Sequence, residues 1–235
     1  SSHRQRCGGA YMKSVTPSPE DSIQIQGASG VYVPAVDSRM LIETFAERGP
    51  APGAFVLDVC SGSGIQGIMA ARAGHRVVSV DSTPEAVRAT FMNALLNDVE
   101  LEALRGDLFE PVDGWRFDAV LANPPYVPTP PGQESAEWCD GGPDGRAVID
   151  RICTESRRVL APGGALWMVH SSLADIPRSL EMLESAGFDA TVVACEELEL
   201  GPVSRSRLNY LTDGGFISEG LDSEQLAVIE ARLAG

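Results

Sequence analysis

The chain has 235 residues and carries 18 Lys and Arg against 33 Asp and Glu, a formal net charge of −15. At 43% hydrophobic and 22% charged residues, its composition is that of an ordinary globular protein with one sizeable core. No apolar run approaches the roughly 18–20 residues of a membrane span. The excess of carboxylates repels phosphate at long range, which disfavours a basic nucleic-acid binder.

Ser1–Pro19 is polar, is broken by Gly8, Gly9, Pro17 and Pro19, and lacks the apolar stretch of a signal peptide. Residues 1–22 read as a disordered tail or cloning remnant, with Met12 a candidate start, and residues 23–235 as a single domain. The five cysteines (Cys7, Cys60, Cys139, Cys153, Cys195) are odd in number, widely spaced and without a C-x-x-C pair. That pattern indicates neither a disulfide framework nor a metal site and points to the cytoplasm.

From there the apolar runs alternate in type. Ala54–Cys60 reads as a buried strand, and Ile65–Ala73 as a helix ending at Gly74. Arg76–Asp81 is a second strand; Ser82 or Thr83 caps the next helix, with Pro84 and Glu85 in its first turn, and that helix runs to about Asn97. Val99–Leu104 and Phe117–Ala122 read as the third and fourth strands, and Asp144–Leu160 as a helix stopped by Ala161-Pro162-Gly163-Gly164. Ala165–His170 is a fifth strand, Ile176–Ala186 a helix and Ala190–Cys195 a sixth strand. Ser223–Leu233 reads as an amphipathic helix with Leu226, Ile229 and Leu233 on one side, packed on the core rather than on a partner. Such alternation predicts an α/β fold, a mostly parallel sheet with helices on both faces. Ligands bind such sheets beyond the carboxyl ends of the strands, where strand order reverses. The residues at those ends are Asp58–Gly64, Asp81, Gly106-Asp107 and Asn123–Tyr126.

Gly62-Ser63-Gly64-Ile65-Gln66-Gly67 fits G-x-G-x-x-G between a strand and a helix. Three readings fit it: a plain tight turn, a dinucleotide site, and a site for another nucleoside cofactor. Asp58 would disfavour a pyrophosphate at this mouth and suits an ammonium group, which S-adenosylmethionine (SAM) carries beside its sulfonium. Asp81 is placed to accept from both ribose hydroxyls, a contact common to SAM and NAD, and Asp107 from an adenine amino group. In Asn123-Pro124-Pro125-Tyr126 the two prolines fix two φ angles, delete two N–H donors and hold their predecessors extended. The product is a rigid stub whose Asn123 side chain and main-chain carbonyls suit a substrate NH2 group; a strand merely stopped by Pro-Pro is the plainer alternative.

Together the two motifs resemble class I SAM-dependent methyltransferases, specifically the HemK/PrmC family of protein glutamine methyltransferases. Gly30–Ser38, with Pro34 and Asp37-Ser38 opening a helix, Gly141-Gly142-Pro143-Asp144-Gly145, and Leu160–Gly164 carry the resemblance further, over about residues 28–170. It implies a Rossmann-like seven-stranded sheet and methyl transfer from SAM to an amide or amino nitrogen. By this resemblance Tyr32, Pro34, Asp58, Ser61, Gly62, Gly64, Asp81, Ser82, Asp107, Leu108 and Asn123 bind the cofactor. Asn123, Pro124 and Tyr126 are the catalytic residues, Asn123 Oδ1 and the Pro124 carbonyl accepting the two amide hydrogens. Tyr126 packs on the acceptor's planar group or lines the sulfonium side. No histidine base is required, and His170 is assigned a structural or pocket-wall role.

Val127–Cys139 is expected to form a substrate loop in which Trp138 is a specificity element or a loop anchor. The stretch ahead of Ala54 is too short for the helical N-terminal domain of bacterial members. The chain is in that respect similar to the eukaryotic and archaeal branch, which works with a small zinc-binding partner. The acceptor is thus a protein glutamine or a small molecule or peptide, with a small activator protein or a homodimer as the assembly. A nucleic-acid base methyltransferase and an NAD-dependent oxidoreductase are the competing functions.

Overall fold

A computed structural model describes residues 23–133 and 137–233. The expected N-terminal tail lies outside the described residues. The helices are α1 (Val36–Arg48), α2 (Ile65–Arg72), α3 (Pro84–Leu96), α4 (Ile149–Glu155), α5 (Ile176–Ser185), α6 (Pro202–Ser206) and α7 (Leu208–Asp213). The strands are β1 (Phe55–Val59), β2 (Arg76–Asp81), β3 (Glu102–Arg105), β4 (Phe117–Ala122), β5 (Leu160–Ser171), β6 (Phe188–Glu199) and β7 (Ser223–Leu233). They form one seven-stranded sheet in the order β3-β2-β1-β4-β5-β7-β6. All neighbours are parallel except β7, which is antiparallel to both β5 and β6.

Period-two alternation sends successive side chains of the central strands into two separate cores. Leu57, Val120, Leu166, Met168 and Ile229 belong to one, packed with Ile149 and Ile152 of α4 and Leu183 of α5. Val56, Leu121, Trp167 and Val228 belong to the other, packed with Met40, Leu41 and Phe45 of α1 and Ala70 of α2. The sheet thus has helices on both faces, as the alternation of runs predicts. Among the described residues no helix is long and apolar enough to cross a membrane.

Ser223–Leu233 is a strand, not the helix predicted from the spacing of Leu226, Ile229 and Leu233. Leu226 and Val228 point into one core and Ala227, Ile229 and Ala231 into the other. A strand inserted between β5 and β6 with both faces covered needs apolar residues at nearly every position. That near-continuous pattern contains helical spacings by accident.

The predicted helix Asp144–Leu160 is also shorter. Asp144 Oδ1 instead accepts from the Arg146 N–H at 3.2 Å, and regular helix begins at Ile149 and tightens to a 3-10 turn over Ser156–Val159. Strand β5 starts at Leu160, ahead of the predicted Ala165. Leu160 pairs with Phe117, and the pairing resumes at Ala119 with Ala165, so Ala161–Gly164 is accommodated as an irregularity within the strand. Strand β3 begins at Glu102 rather than Val99, and β6 extends past Ala190–Cys195 at both ends.

Candidate active site

The sheet order reverses between β1 and β4, and at their carboxyl ends lies a cleft of about 380 Å³, within the usual range for a cofactor-sized ligand. One wall is the turn between β1 and α2. Gly67, in the first turn of α2, is where helix and sheet meet. A Cβ there would lie 2.5 Å from Ser79 Oγ and 3.0 Å from Asp58 Oδ2, so only glycine permits this approach. Asp81, ending β2, accepts from the Gly62 N–H at 2.9 Å and from the Thr83 N–H at 3.0 Å. Thr83 in turn caps α3, accepting from the Ala86 N–H at 3.2 Å.

A second wall is Asn123–Tyr126, which leaves β4 directly into the cleft. Asn123 Nδ2 reaches Ser38 Oγ at 3.5 Å, the long limit of a hydrogen bond, and that orientation reserves Oδ1 as an acceptor. Asp37, buried at the start of α1, accepts from the Tyr32 hydroxyl at 2.6 Å and from the Tyr126 hydroxyl at 3.4 Å. Burial and the Asp37 charge raise both tyrosine hydroxyls above their ordinary pKa, so they remain protonated donors at neutral pH. Behind the arm Gly145 adopts φ +75°, and a Cβ on it would lie 2.5 Å from the Tyr126 carbonyl oxygen. The Gly-Gly-Pro-Asp-Gly turn is therefore a backbone-to-backbone support for the arm.

Of the predicted site residues, Tyr32, Ser61, Gly62, Asp81, Ser82, Asp107, Leu108, Asn123, Pro124 and Tyr126 line this cleft. Pro34, Asp58 and Gly64 are outside its lining. Asp58 is 1% exposed and turned beneath α2, where Oδ2 accepts from the Gly67 N–H at 3.1 Å and from Ser79 Oγ at 3.3 Å. Burial pushes its carboxyl up to about 7, because desolvation outweighs those two hydrogen bonds. Its other oxygen, Oδ1, has no partner. Gly64 faces α3: a Cβ there would meet Thr90 Cγ2 at 2.8 Å. Asp107 is at the cleft but its carboxylate is held by Arg151 at 2.8 and 3.0 Å.

Trp138 also lines the cleft, its ring 5.5 Å from that of Tyr32. His170 is fully buried, with Nε2 2.7 Å from Ser179 Oγ and Nδ1 2.9 Å from the Ser171 carbonyl oxygen. Burial lowers it to about 4, so it is a neutral structural residue. Among the described lining residues there is no histidine.

The sequence reading gave no role of their own to Asp37 and Ser38, or to Asn93. Asn93 Nδ2 donates to the Ser63 carbonyl at 2.9 Å and so ties the glycine turn to α3. Asp37-Ser38 were visible only as part of a helix-opening motif, and Asn93 carried no signal because mid-helix asparagines are ordinarily solvated.

The cleft brings together the Asp81 carboxylate, the glycine turn and the aromatic rings of Tyr32 and Tyr126, groups whose chemistry suits a nucleoside cofactor with a sulfonium. The family model for the methyltransferase small domain matches residues 23–197. A putative protein N5-glutamine methyltransferase from Methanocaldococcus jannaschii is 34% identical over 179 residues, covering 74% of this chain and 89% of that protein. A release factor glutamine methyltransferase from Geobacter sulfurreducens is 32% identical over 169 residues, covering 67% of this chain and 59% of that longer protein. Among solved structures, the E. cuniculi Mtq2–Trm112 complex, responsible for methylating the translation termination factor eRF1, superposes with a TM-score of 0.62. It is 22% identical and covers 87% of this chain and 99% of that chain.

Proposed function

Because the chain belongs to the methyltransferase small domain family and, within it, to the HemK-type SAM-dependent N-methyltransferases, we propose that it methylates the side-chain amide nitrogen of a protein glutamine. The relatives do not favour the nucleic-acid base and NAD readings. The observation that carries the proposal is that the Asn123–Tyr126 arm lines the same cleft as the glycine turn and Asp81.

When bound, SAM supplies a methyl group already activated on a sulfonium. Asp81 takes the ribose through Oδ2, which accepts only the Gly62 N–H and keeps a lone pair, while Oδ1 is occupied by the Thr83 N–H and hydroxyl. Tyr32 closes over the cofactor side. Tyr126 lies against the acceptor's planar amide. Asn123 Oδ1 and the Pro124 carbonyl accept the two amide hydrogens. They thereby aim the nitrogen lone pair along one line and stabilise the positive charge that develops on nitrogen. A primary amide is a poor nucleophile, so this rigid aiming supplies most of the acceleration. The N-methylated amide cation is strongly acidic and releases its proton to water without a basic side chain. Both tyrosines, held protonated against Asp37, act as donors rather than bases.

The reading includes a cytoplasmic setting, argued from the odd number and wide spacing of the cysteines. It also includes a small activator protein. Phe91, Met92, Leu95 and Leu96 of α3 are 43–56% exposed on the helix that packs beside β3, the edge strand among the described residues, an apolar surface suited to a partner that adds a strand.

The test is incubation with SAM and a Gly-Gly-Gln peptide, with a small-molecule extract in parallel, read by mass spectrometry. A peptide gaining the mass of one methylene, located on the glutamine, is the expected result. Modification confined to small molecules would reject the protein-glutamine acceptor.

A further inference from the structure

Between β6 and β7 the chain inserts α6 and α7, which lie outside the cleft lining and carry a small core of their own, Leu200, Leu211 and Ile217 with Leu173. From the junction of these helices Arg207, only 6% exposed, reaches the segment that follows the catalytic arm. Its guanidinium donates to Thr129 Oγ1 at 2.9 Å and to the Pro128 carbonyl at 3.2 Å. Thr129 Oγ1 passes the connection on, donating to the Val127 carbonyl at 3.3 Å. Nearby, the Tyr210 hydroxyl donates to the Pro143 carbonyl at 2.8 Å.

These contacts hold both limbs of one loop. The limbs are also tied to each other, Thr129 N–H to the Gly142 carbonyl at 2.8 Å and Gly141 N–H to the Val127 carbonyl at 3.1 Å. The same loop delivers Val127, Trp138 and Asp140 to the cleft beside Tyr126. Burying a guanidinium is costly unless its donors are satisfied. Here two of its hydrogen bonds go to loop oxygens, the Pro128 carbonyl and Thr129 Oγ1.

We propose that the α6–α7 insertion is an acceptor-specificity element and that Arg207 is its positioning residue, fixing the loop that shapes the acceptor side of the cleft. This rests on the acceptor reading above. The cofactor wall, built from β1, β2 and their turns, is not part of the clamp.

The experiment compares wild type, Arg207→Ala, Arg207→Lys and Tyr210→Phe by amide hydrogen exchange, SAM titration and steady-state kinetics with a Gly-Gly-Gln peptide. In Arg207→Ala the Thr129 and Gly141 amides are expected to exchange faster while those of residues 58–67 keep their protection. The peptide KM is expected to rise about tenfold or more with kcat within about threefold and SAM affinity within about twofold. Arg207→Lys, a single-point donor, is expected to recover part of that KM, and Tyr210→Phe, which removes one outer hydrogen bond, to show a smaller rise of the same kind. Unchanged loop exchange in Arg207→Ala, or a loss of SAM affinity equal to the loss in kcat/KM, would overturn the proposal. If wild type leaves the peptide unmodified while Arg207→Ala still loosens the loop, the glutamine reading fails and the clamp stands.

Discussion

The wall of the cleft proposed to hold the cofactor lies within residues 60–107, where β1 and β2 each run directly into the turn and helix that complete them. The acceptor wall draws Asn123–Tyr126 together with Asp37 and Ser38 from α1, the 137–145 segment and Arg207 from the distant insertion. A locally encoded wall is held by hydrogen bonds between successive strand–turn units such as Gly62 to Asp81, and it tolerates change elsewhere. A wall built from remote segments can be retuned for a different acceptor by substitutions that never touch the acceptor. The contrast predicts that substitutions on the two walls separate into effects on the cofactor and effects on turnover or acceptor.

The largest separation is expected at Asn123. Asn123→Ala should keep SAM affinity within a few fold and lose on the order of 10²-fold or more in turnover, measured by calorimetry and by methyl transfer. Lost SAM binding would instead place Asn123 on the cofactor wall. Asp81→Ala should do the reverse, weakening SAM binding by about 1.5–3 kcal/mol, the range for hydrogen bonds to a charged group. A thermal melt should accompany the titration, since Asp81 also holds the Gly62 and Thr83 amides.

Gly145→Ala forces a Cβ onto the Tyr126 carbonyl at a positive φ. It should cost roughly 1–3 kcal/mol of stability in chemical denaturation and impair turnover more than SAM affinity. A fourth test uses pH. The Asp58 carboxyl rises from 3.8 unfolded to about 7 folded, so the folded state holds more protons between those values and its contribution to stability falls as pH rises through that window. His170 works oppositely, its folded value near 4 lying below 6.5, so its contribution rises with pH between them. Asp58→Asn should therefore steepen the rise of stability with pH across that shared range, followed by denaturant midpoint; an unchanged profile would mean that the carboxyl is not shifted. The smallest effect on the isolated chain belongs to Leu95→Asp, within about 0.5 kcal/mol for an exposed site. Its signature would be loss of activator binding in a pull-down with that partner.

The glycine turn, the Asp81 position and the Asn-Pro-Pro-Tyr arm were legible because each is a local pattern in which the backbone constraint and the chemistry occupy adjacent residues. The sheet with helices on both faces followed from the same alternation of runs, and Phe117–Ala122 lies where its apolar pattern put it. Asp58 shows the limit. Its position before the glycine turn is visible in the sequence, but the strand's pleat directs its side chain beneath α2, and β pleating has a parity that nearby motifs do not reveal.

By itself the sequence determined the order of elements from β1 to β6, the glycine turn and the stiffness of the arm, since φ restriction and short-range turns depend on few residues. The tertiary structure decided that Ser223–Leu233 is a strand, because burial on both faces between β5 and β6 overrides a helical spacing that only one face would have used. It also decided that Asp37 joins Tyr32 to Tyr126 and that Arg207 braces the acceptor loop. Those contacts span long stretches of chain, and their geometry exists only once the sheet has brought the segments together.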